Sequence, residues 1–487
     1  MNFLLVIPEI VLVVFACFFL IIDSLTKGKY IGKLHYVTVL LMIAVGIYCL
    51  APVDNLSESY TFSNMLIHDA LSQSLKGFSA LAVAFTLILG ANYAREVGIF
   101  KGELHVLALF TLVGQMVIMS ANSLLMIYLG VELLSLALYA AVAMRRDHVA
   151  ATEAAMKYFV LGALATGFML YGMSMIYGAS GTLLLPDVAD ATLATDSNNL
   201  IFVFGLVFLV SGLAFKLGVV PFHMWVPDVY EGSPSIVTLL ISGAPKLAAF
   251  AMTMRLLVDG LLPFAFDWQQ MLMVLAVLSL AIGNLAAIAQ TNLKRMLAFS
   301  TIAQMGFMLL GVLSGVVDGD SQFAVDAYSA SMFYTITYVL TTLGTFGVIL
   351  VMSSRTHEIV SIADLKGLNE RSPWLACVML LFMFSLAGIP PMIGFIAKLA
   401  VLKAVVSAGY TWLAVYAVMM SLVAAFYYIR IVKTMYFEPS THLSERIANL
   451  PIDSKWVLGA NGALVLILGI VPGPLVALCS LIILQSL

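Results

Sequence analysis

Charge is scarce in this chain: Asp, Glu, Lys and Arg make up 10% of its 487 residues, where a soluble domain carries about 25%. So little charge cannot cover the surface of a water-soluble globule of this size, which points to an integral membrane protein. The net charge is only −3, and no basic run is long enough to hold a phosphate backbone, which argues against a nucleic-acid partner. Cysteine is nearly absent. Cys17, Cys49, Cys377 and Cys479 lie far apart in apolar segments with no CxxC pair. They read as small buried hydrophobes rather than zinc or iron–sulfur ligands. Neither a Walker loop nor a GxGxxG after a strand occurs, so the chain is expected to bind no nucleotide, flavin or metal itself. The opening MNFLLVIPEIVLVVF has no positive leader region or small-residue cleavage site, and is expected to stay as the first membrane helix.

What is present is apolar sequence, 62% of all residues. A helix needs ~20 such residues to cross ~30 Å of hydrocarbon, and on that ruler about fourteen spans are expected. They fall at 3–22, 36–52, 73–93, 104–121, 123–143, 153–177, 200–221, 235–258, 268–289, 295–316, 325–352, 374–404, 411–436 and 456–484. Every second loop carries the basic residues: Lys27, Lys29 and Lys33; Arg95 and Lys101; Arg145 and Arg146; Lys294 and Arg295; Arg355, Lys366 and Arg371; Lys433, Arg446 and Lys455. By the positive-inside rule this alternation predicts both termini on the outer, periplasmic side. Lys76 and Arg255 break the pattern and are expected to snorkel from helix ends.

Two segments look interrupted. The seventh carries Gly218 and Pro221, and the twelfth reads FSLAGIPPMIGFIAKL with Gly388, Pro390 and Pro391. Paired broken helices point to an inverted-repeat transporter with its site at the breaks. The fold expected is therefore an all-α membrane protein, a single membrane domain over 1–487. Helices 4–8 (104–258) and 9–13 (268–436) would form two inverted five-helix repeats, with helices 1–3 (1–100) and 14 (456–484) outside them.

Four ionisable residues fall near mid-span: Glu132, Lys216, Lys246 and Lys398. A charge at bilayer depth costs ~2.5–3.5 kcal/mol on insertion scales, so each must be paired, hydrated or neutral. Glu132 and Lys216 make a natural pair whose separation would set how tightly the lysine holds a proton. Lys246, after Pro245, reads as a relay. The rival explanation is a set of fixed ion pairs or snorkelling lysines, which becomes less natural with three lysines and a carboxylate together.

A proton moving between these sites needs polar steps. Tyr334, Tyr338, Thr341 and Thr345 share one face of helix 11, and Ser300, Thr301 and Gln304 lie within a turn on helix 10. The same residues are equally suited to hydrogen-bonding helices together. His223 would share the face of Lys216 only if the helix ran through Pro221. Glu153 and Lys157, spaced i to i+4, read as a helix salt bridge, with a regulatory contact as the other reading.

The stretches YLGVELLSLALYA, EAAMKYFVLGALATGFMLYG, FKLGVVPFHMWVPDVYEGSPS, ISGAPKLAAF, QTNLKRMLAFSTIAQMGFMLLG and LAGIPPMIGFIAKL resemble the antiporter-like proton-channel subunits of respiratory complex I and their relatives in multisubunit cation/proton antiporters. The resemblance spans most of residues 100–400. It implies fourteen helices in two inverted repeats, Glu132 and Lys216 as a switching pair, Lys246 as the central relay and Lys398 as the exit-side site. It also implies a bacterial inner-membrane location and partners among other membrane subunits, a neighbouring antiporter-like subunit M and small subunits such as K. NADH, FMN, iron–sulfur clusters and quinone would belong to partner subunits, and this chain would meet only protons and lipids. One departure is Gln304, where many members carry a histidine. The rival functions are a sodium/proton antiporter subunit and a purely structural membrane subunit.

Overall fold

The computed structural model describes residues 2–51, 58–193, 200–317, 319, 321–354, 358–440 and 452–487. In hydrocarbon each backbone N–H and C=O must be satisfied within its own segment, so long apolar runs become helices. Three helices open the chain: α1 (Ile7–Thr26), α2 (Ile31–Leu50) and α3 (Ala70–Val97). They are followed by α4 (Gly102–Met119), α5 (Leu124–Val142), α6 (Val149–Ser180) and a short α7 (Leu185–Leu193). Next come α8 (Leu200–Leu217), α9 (Trp225–Gly232), α10 (Ser235–Ser242) and α11 (Pro245–Thr253), then α12 (Ala265–Ala289), α13 (Leu293–Leu313) and α14 (Ala324–Met352). The remainder is α15 (Leu368–Arg371), α16 (Pro373–Ala387), α17 (Ile393–Ser407), α18 (Thr411–Phe437), α19 (Ile452–Ile470) and α20 (Gly473–Ser486).

Among the described residues, thirteen helices are long and apolar enough to cross a membrane. The fourteenth passage is made by α16 and α17, which have 15 residues each and follow one another. The most enclosed helix is α13, whose most apolar stretch is wholly buried. Beside it α14 packs against α3, α10, α11, α13, α16, α17, α19 and α20 and forms the axis of the bundle. The basic loops gather at one end, where the α3–α4 and α5–α6 turns line a common cleft and Arg145 and Lys294 meet at Glu358. Arg355 and Arg446 lie outside the described residues.

The structure departs from the sequence reading in several places. The expected helix 456–484 is interrupted at Val471–Pro472, because proline has no N–H to continue the ladder and crowds the residue before it. The chain nevertheless keeps travelling along α14: Asn461 Nδ2 donates to Leu340 O at 3.2 Å, and α20 packs on α14 and α3. The expected helix 235–258 is also divided, at Gly243–Ala244, with Pro245 in the first turn of α11. A small hairpin, β1 (Ser59–Thr61) with β2 (Leu66–His68), pairs Tyr60 with Ile67 and was not expected. Cys17 and Cys377 are exposed, unlike Cys49 and Cys479. Neither Lys76 nor Arg255 snorkels. Lys76 is 1% exposed against Glu9, and Arg255 is 2% exposed between Asp69 and Asp259. Each lies inward on its helix, so a carboxylate from another segment replaces the water it would have reached.

The two expected breaks share one local geometry. After α8, Gly218 takes φ +77° and its N–H donates to Ala214 O and Phe215 O. After α16, Gly388 takes φ +84° and donates to Phe384 O and Ser385 O. Three residues beyond each glycine stands a cis proline, Pro221 and Pro391. A left-handed residue is inexpensive only for glycine. At Gly388 a Cβ would also sit 2.9 Å from Lys398 Cδ. Gly388→Ala is therefore expected to destabilise the fold by about 1–2 kcal/mol, measurable as a lower thermal midpoint of the assembled protein.

Candidate functional site: three buried lysines at helix breaks

A helix that stops leaves its last carbonyls without i+4 donors. At the first break that vacancy is filled by a lysine: Lys246, 2% exposed, reaches back from α11 and its Nζ donates to Leu217 O at 2.9 Å. Trp225 closes the other side. Its Nε1 donates to Phe215 O at 3.0 Å, its ring stacks on Tyr158, and Lys246 Nζ lies 5.8 Å from the ring centroid, within cation–π range. Val220 N–H, in the break itself, donates to Ser279 Oγ on α12 at 2.9 Å, which anchors the irregular backbone.

The second break repeats the arrangement. Lys398 Nζ donates to Leu386 O at 3.2 Å and to Ala387 O at 3.0 Å, and lies 5.2 Å from the Phe307 ring. Gln304 Nε2 shares the Leu386 carbonyl at 3.2 Å and also donates to Tyr428 OH at 3.1 Å. Tyr334 OH donates to Gln304 Oε1, and Tyr428 OH and Ser300 Oγ share a hydrogen bond. Gln304 thus offers a donor and an acceptor to three groups with no charge of its own, and it acts as a joint rather than a titrating step. Tyr338 OH donates to Thr301 Oγ1 at 2.8 Å, and Thr341 Oγ1 lies 3.1 Å from Ser385 Oγ. Thr345 instead donates to Thr341 O on its own helix. The expected hydroxyl stripe therefore does hold helices together, and part of it also lines a cavity of about 10 Å³ beside Lys398.

Lys216 and Glu132 are not brought into contact. Lys216 Nζ donates to Ser135 Oγ at 2.7 Å, and Ser135 stands one turn beyond Glu132 on α5. Among the described residues Glu132 forms no ion pair, and no carboxylate lies within ion-pair distance of Lys216, Lys246 or Lys398. Lys216 and Lys246 line a common cavity of about 30 Å³, enough for a water or two where polar groups converge. His223 lies beyond the end of α8, in the break, so it shares no helix face with Lys216; burial lowers its affinity for a proton.

Glu153 and Lys157 do pair, at 2.8 Å, but Lys157 also reaches Asp228 at 2.8 Å. Asp228 in turn holds Arg295 at 2.7 Å, so the pair belongs to a surface chain linking α6, α9 and α13. The sequence reading missed Ser135, Trp225, Ser385 and Tyr428; of these Tyr428, in the polar-tipped YYIR run inside an apolar helix, carried the clearest signal. It also missed Glu358. That carboxylate accepts from Ser235 Oγ at 2.7 Å, Lys294 Nζ at 2.8 Å and Tyr93 OH at 2.9 Å, with Arg145 at 3.3 Å. Burial alone would raise its pKa, but Lys294 and the hydroxyl donors outweigh that and hold it at about 2. Glu358 is thus a permanent anion at neutral pH, a fastening and not a proton carrier. No three His, Cys, Asp or Glu side chains among the described residues gather to hold a metal ion.

A many-helix membrane fold with buried lysines at two broken helices defines a class of ion-translocating membrane subunits. The chain belongs to the NADH:quinone oxidoreductase/Mrp antiporter transmembrane family, whose model matches residues 121–424. It is 54% identical to NADH-quinone oxidoreductase subunit N of Herminiimonas arsenicoxydans, over 100% of this chain and 99% of that one. With the subunit N of Polaromonas naphthalenivorans the identity is 53%, covering 99% and 97%. Among solved structures, a chain of respiratory complex I from Thermus thermophilus with bound aureothin superposes with a TM-score of 0.79 at 30% identity, covering 97% of this chain and all of that one. A chain of the Mrp complex from Dietzia shares the fold, with a TM-score of 0.83 at 20% identity and coverage of 99% and 97%.

Proposed function

We propose that this chain serves as the N-type antiporter-like subunit in the membrane arm of a bacterial NADH-quinone oxidoreductase, where it moves protons while other subunits carry out the redox chemistry. The observation that carries the reading is the set of three lysines within the bundle, none with a carboxylate at ion-pair distance among the described residues, each held by a carbonyl or hydroxyl beside a water-sized cavity. A lysine so placed exchanges its proton at little cost, whereas one locked to a carboxylate does not. In this scheme Glu132 and Lys216 form a switch in which Lys216 leaves Ser135 for Glu132. Lys246 relays through the first break, and Lys398 with Gln304 and the Tyr334, Tyr338 and Thr341 hydroxyls serves the second.

The two five-helix units, 104–258 and 268–436, are proposed as inverted repeats, a reading supported by the matching glycine, proline and lysine geometry of their breaks. The basic end of the bundle would face the cytoplasm and both termini the periplasm. The neighbours would be a second antiporter-like subunit, M, and small subunits such as K, with NADH, FMN, iron–sulfur clusters and quinone confined to partners. The test is the assembled complex carrying Lys216→Met or Lys398→Met, reconstituted in vesicles, with NADH-driven quinone reduction and proton uptake measured together. Each variant is expected to lower both by about tenfold or more, a barrier change above 1.4 kcal/mol, with the subunits still assembled. Wild-type values in both variants would make the lysines structural and refute the proton path.

A further inference from the structure

A cleft of about 800 Å³ opens at the basic end of the bundle, and none of the three buried lysines lines it. Its size falls in the range of small-molecule sites. Three cations line it: Lys101 at the start of α4, and Arg145 and Arg146 in the α5–α6 turn. So do two carboxylates, Glu103 and Asp147. Of these five, only Arg145 has an ion-pair partner among the described residues, Glu358 at 3.3 Å; that is the longest of the four contacts to Glu358. The other four charges are therefore available to a ligand that bears both signs.

Apart from His148, whose Nδ1 accepts from Ala151 N–H at 3.3 Å, the remaining wall is largely apolar. Leu20 of α1, 42% exposed, Leu107 of α4 and Ala140 of α5 line the same cleft. The helices α1 and α5 each pack on α4, whose Leu107, Phe110 and Val117 remain only partly covered. Leu136 and Leu129, 54% and 48% exposed, continue the Ala140 stripe away from the charged end at helical spacing. A charged cleft thus runs into an apolar trough along the membrane-spanning part of the chain. Soluble anions have no use for such a trough, whereas an acyl chain does.

We infer that this cleft binds a phospholipid with an ethanolamine headgroup, its phosphodiester on Lys101, Arg145 and Arg146, its primary ammonium on Glu103 and Asp147, and one acyl chain in the trough over α4. The carboxylates select against a purely anionic headgroup, and their need for N–H donors selects against a quaternary ammonium. The test uses the intact complex in bilayers containing a trace of phosphatidylethanolamine with a photoreactive acyl chain, with phosphatidylglycerol and phosphatidylcholine bearing the same chain as comparisons. Labelling of residues 98–148 is quantified against labelling of the exposed face of α18. The ethanolamine lipid is expected to label 98–148 most strongly, and the Lys101→Gln/Arg146→Gln double variant to lower that labelling about tenfold while α18 labelling stays unchanged. Equal labelling by all three lipids, or undiminished labelling of the variant, would overturn the assignment. So would protection by inorganic phosphate, which would mark a plain anion site, or absence of label together with cross-linking of Ala140→Cys to another subunit, which would make the cleft a protein interface.

Discussion

Lys246→Met, in the assembled complex, is expected to lower quinone reduction and proton uptake together by about tenfold or more, without loss of thermal stability. The two halves of this result point in opposite directions, which is why the substitution is informative. Lys246 is 2% exposed, and among the described residues it has no carboxylate partner and its Nζ donates to a single carbonyl, that of Leu217. Holding an ammonium there costs free energy, and methionine of similar length removes that cost while leaving one backbone acceptor unfilled; the net effect is stabilising or neutral within about 2 kcal/mol. If the lysine only held helices together, the variant would lose stability and keep turnover. A stable complex with collapsed turnover leaves transport as the reason the charge is there. The measurement is the thermal midpoint of the purified complex beside its coupled activity in vesicles.

Arg255→Met is expected to do the reverse and prevent assembly. Arg255 Nη2 donates to Asp69 Oδ1 at 2.7 Å and Oδ2 at 2.8 Å, Nη1 donates to Asp259 at 2.9 Å, and Nε and Nη2 also reach Met119 O. Asp69 is 1% exposed and caps α3 through Ser72 N–H. Burial would raise its pKa, yet the guanidinium and the Ser72 bonds keep it below the ordinary carboxylate range. Without the arginine a buried carboxylate is left uncompensated, at a cost of about 3–5 kcal/mol, comparable to the net stability of many folds. The double variant Asp69→Asn/Arg255→Met removes the more buried ion pair, leaving only the partly exposed Asp259 without its arginine, and is expected to recover part of the assembled complex, seen as subunit content in purified membranes. Equal loss in single and double variants would mean the ion pair itself is not what fails.

These contrasts show which features the sequence makes legible. Helix number, and breaks at Gly218 and Gly388, are local properties: an apolar run of given length, a glycine, a proline three residues later. The division at Gly243–Ala244 carried a similar signal in Pro245, but an uninterrupted apolar count over 235–258 concealed it. Contacts between distant segments were much less legible. The separation of Glu132 from Lys216 depends on a side chain choosing Ser135, one turn away. The inward placement of Lys76 and Arg255 depends on which helix face is covered, and no count of residues from a helix end reveals that. Glu358 was invisible for a related reason: its four partners come from four separate parts of the chain, and the sequence shows only an acidic residue in a basic loop.

The two helices that stop inside the bundle supply something no carboxylate could. The aligned peptide dipoles of a helix leave about half a negative elementary charge at its C-terminus, felt over its last turn. Lys246 at Leu217 and Lys398 at Leu386 and Ala387 sit on that partial charge. It attracts a cation but cannot itself be protonated, so neither lysine has a competing acid on its immediate support. Its strength depends on distance, so a small slide of α8 or α16 would change how firmly each lysine keeps its proton. The broken helices are in this sense adjustable counter-ions built from backbone alone.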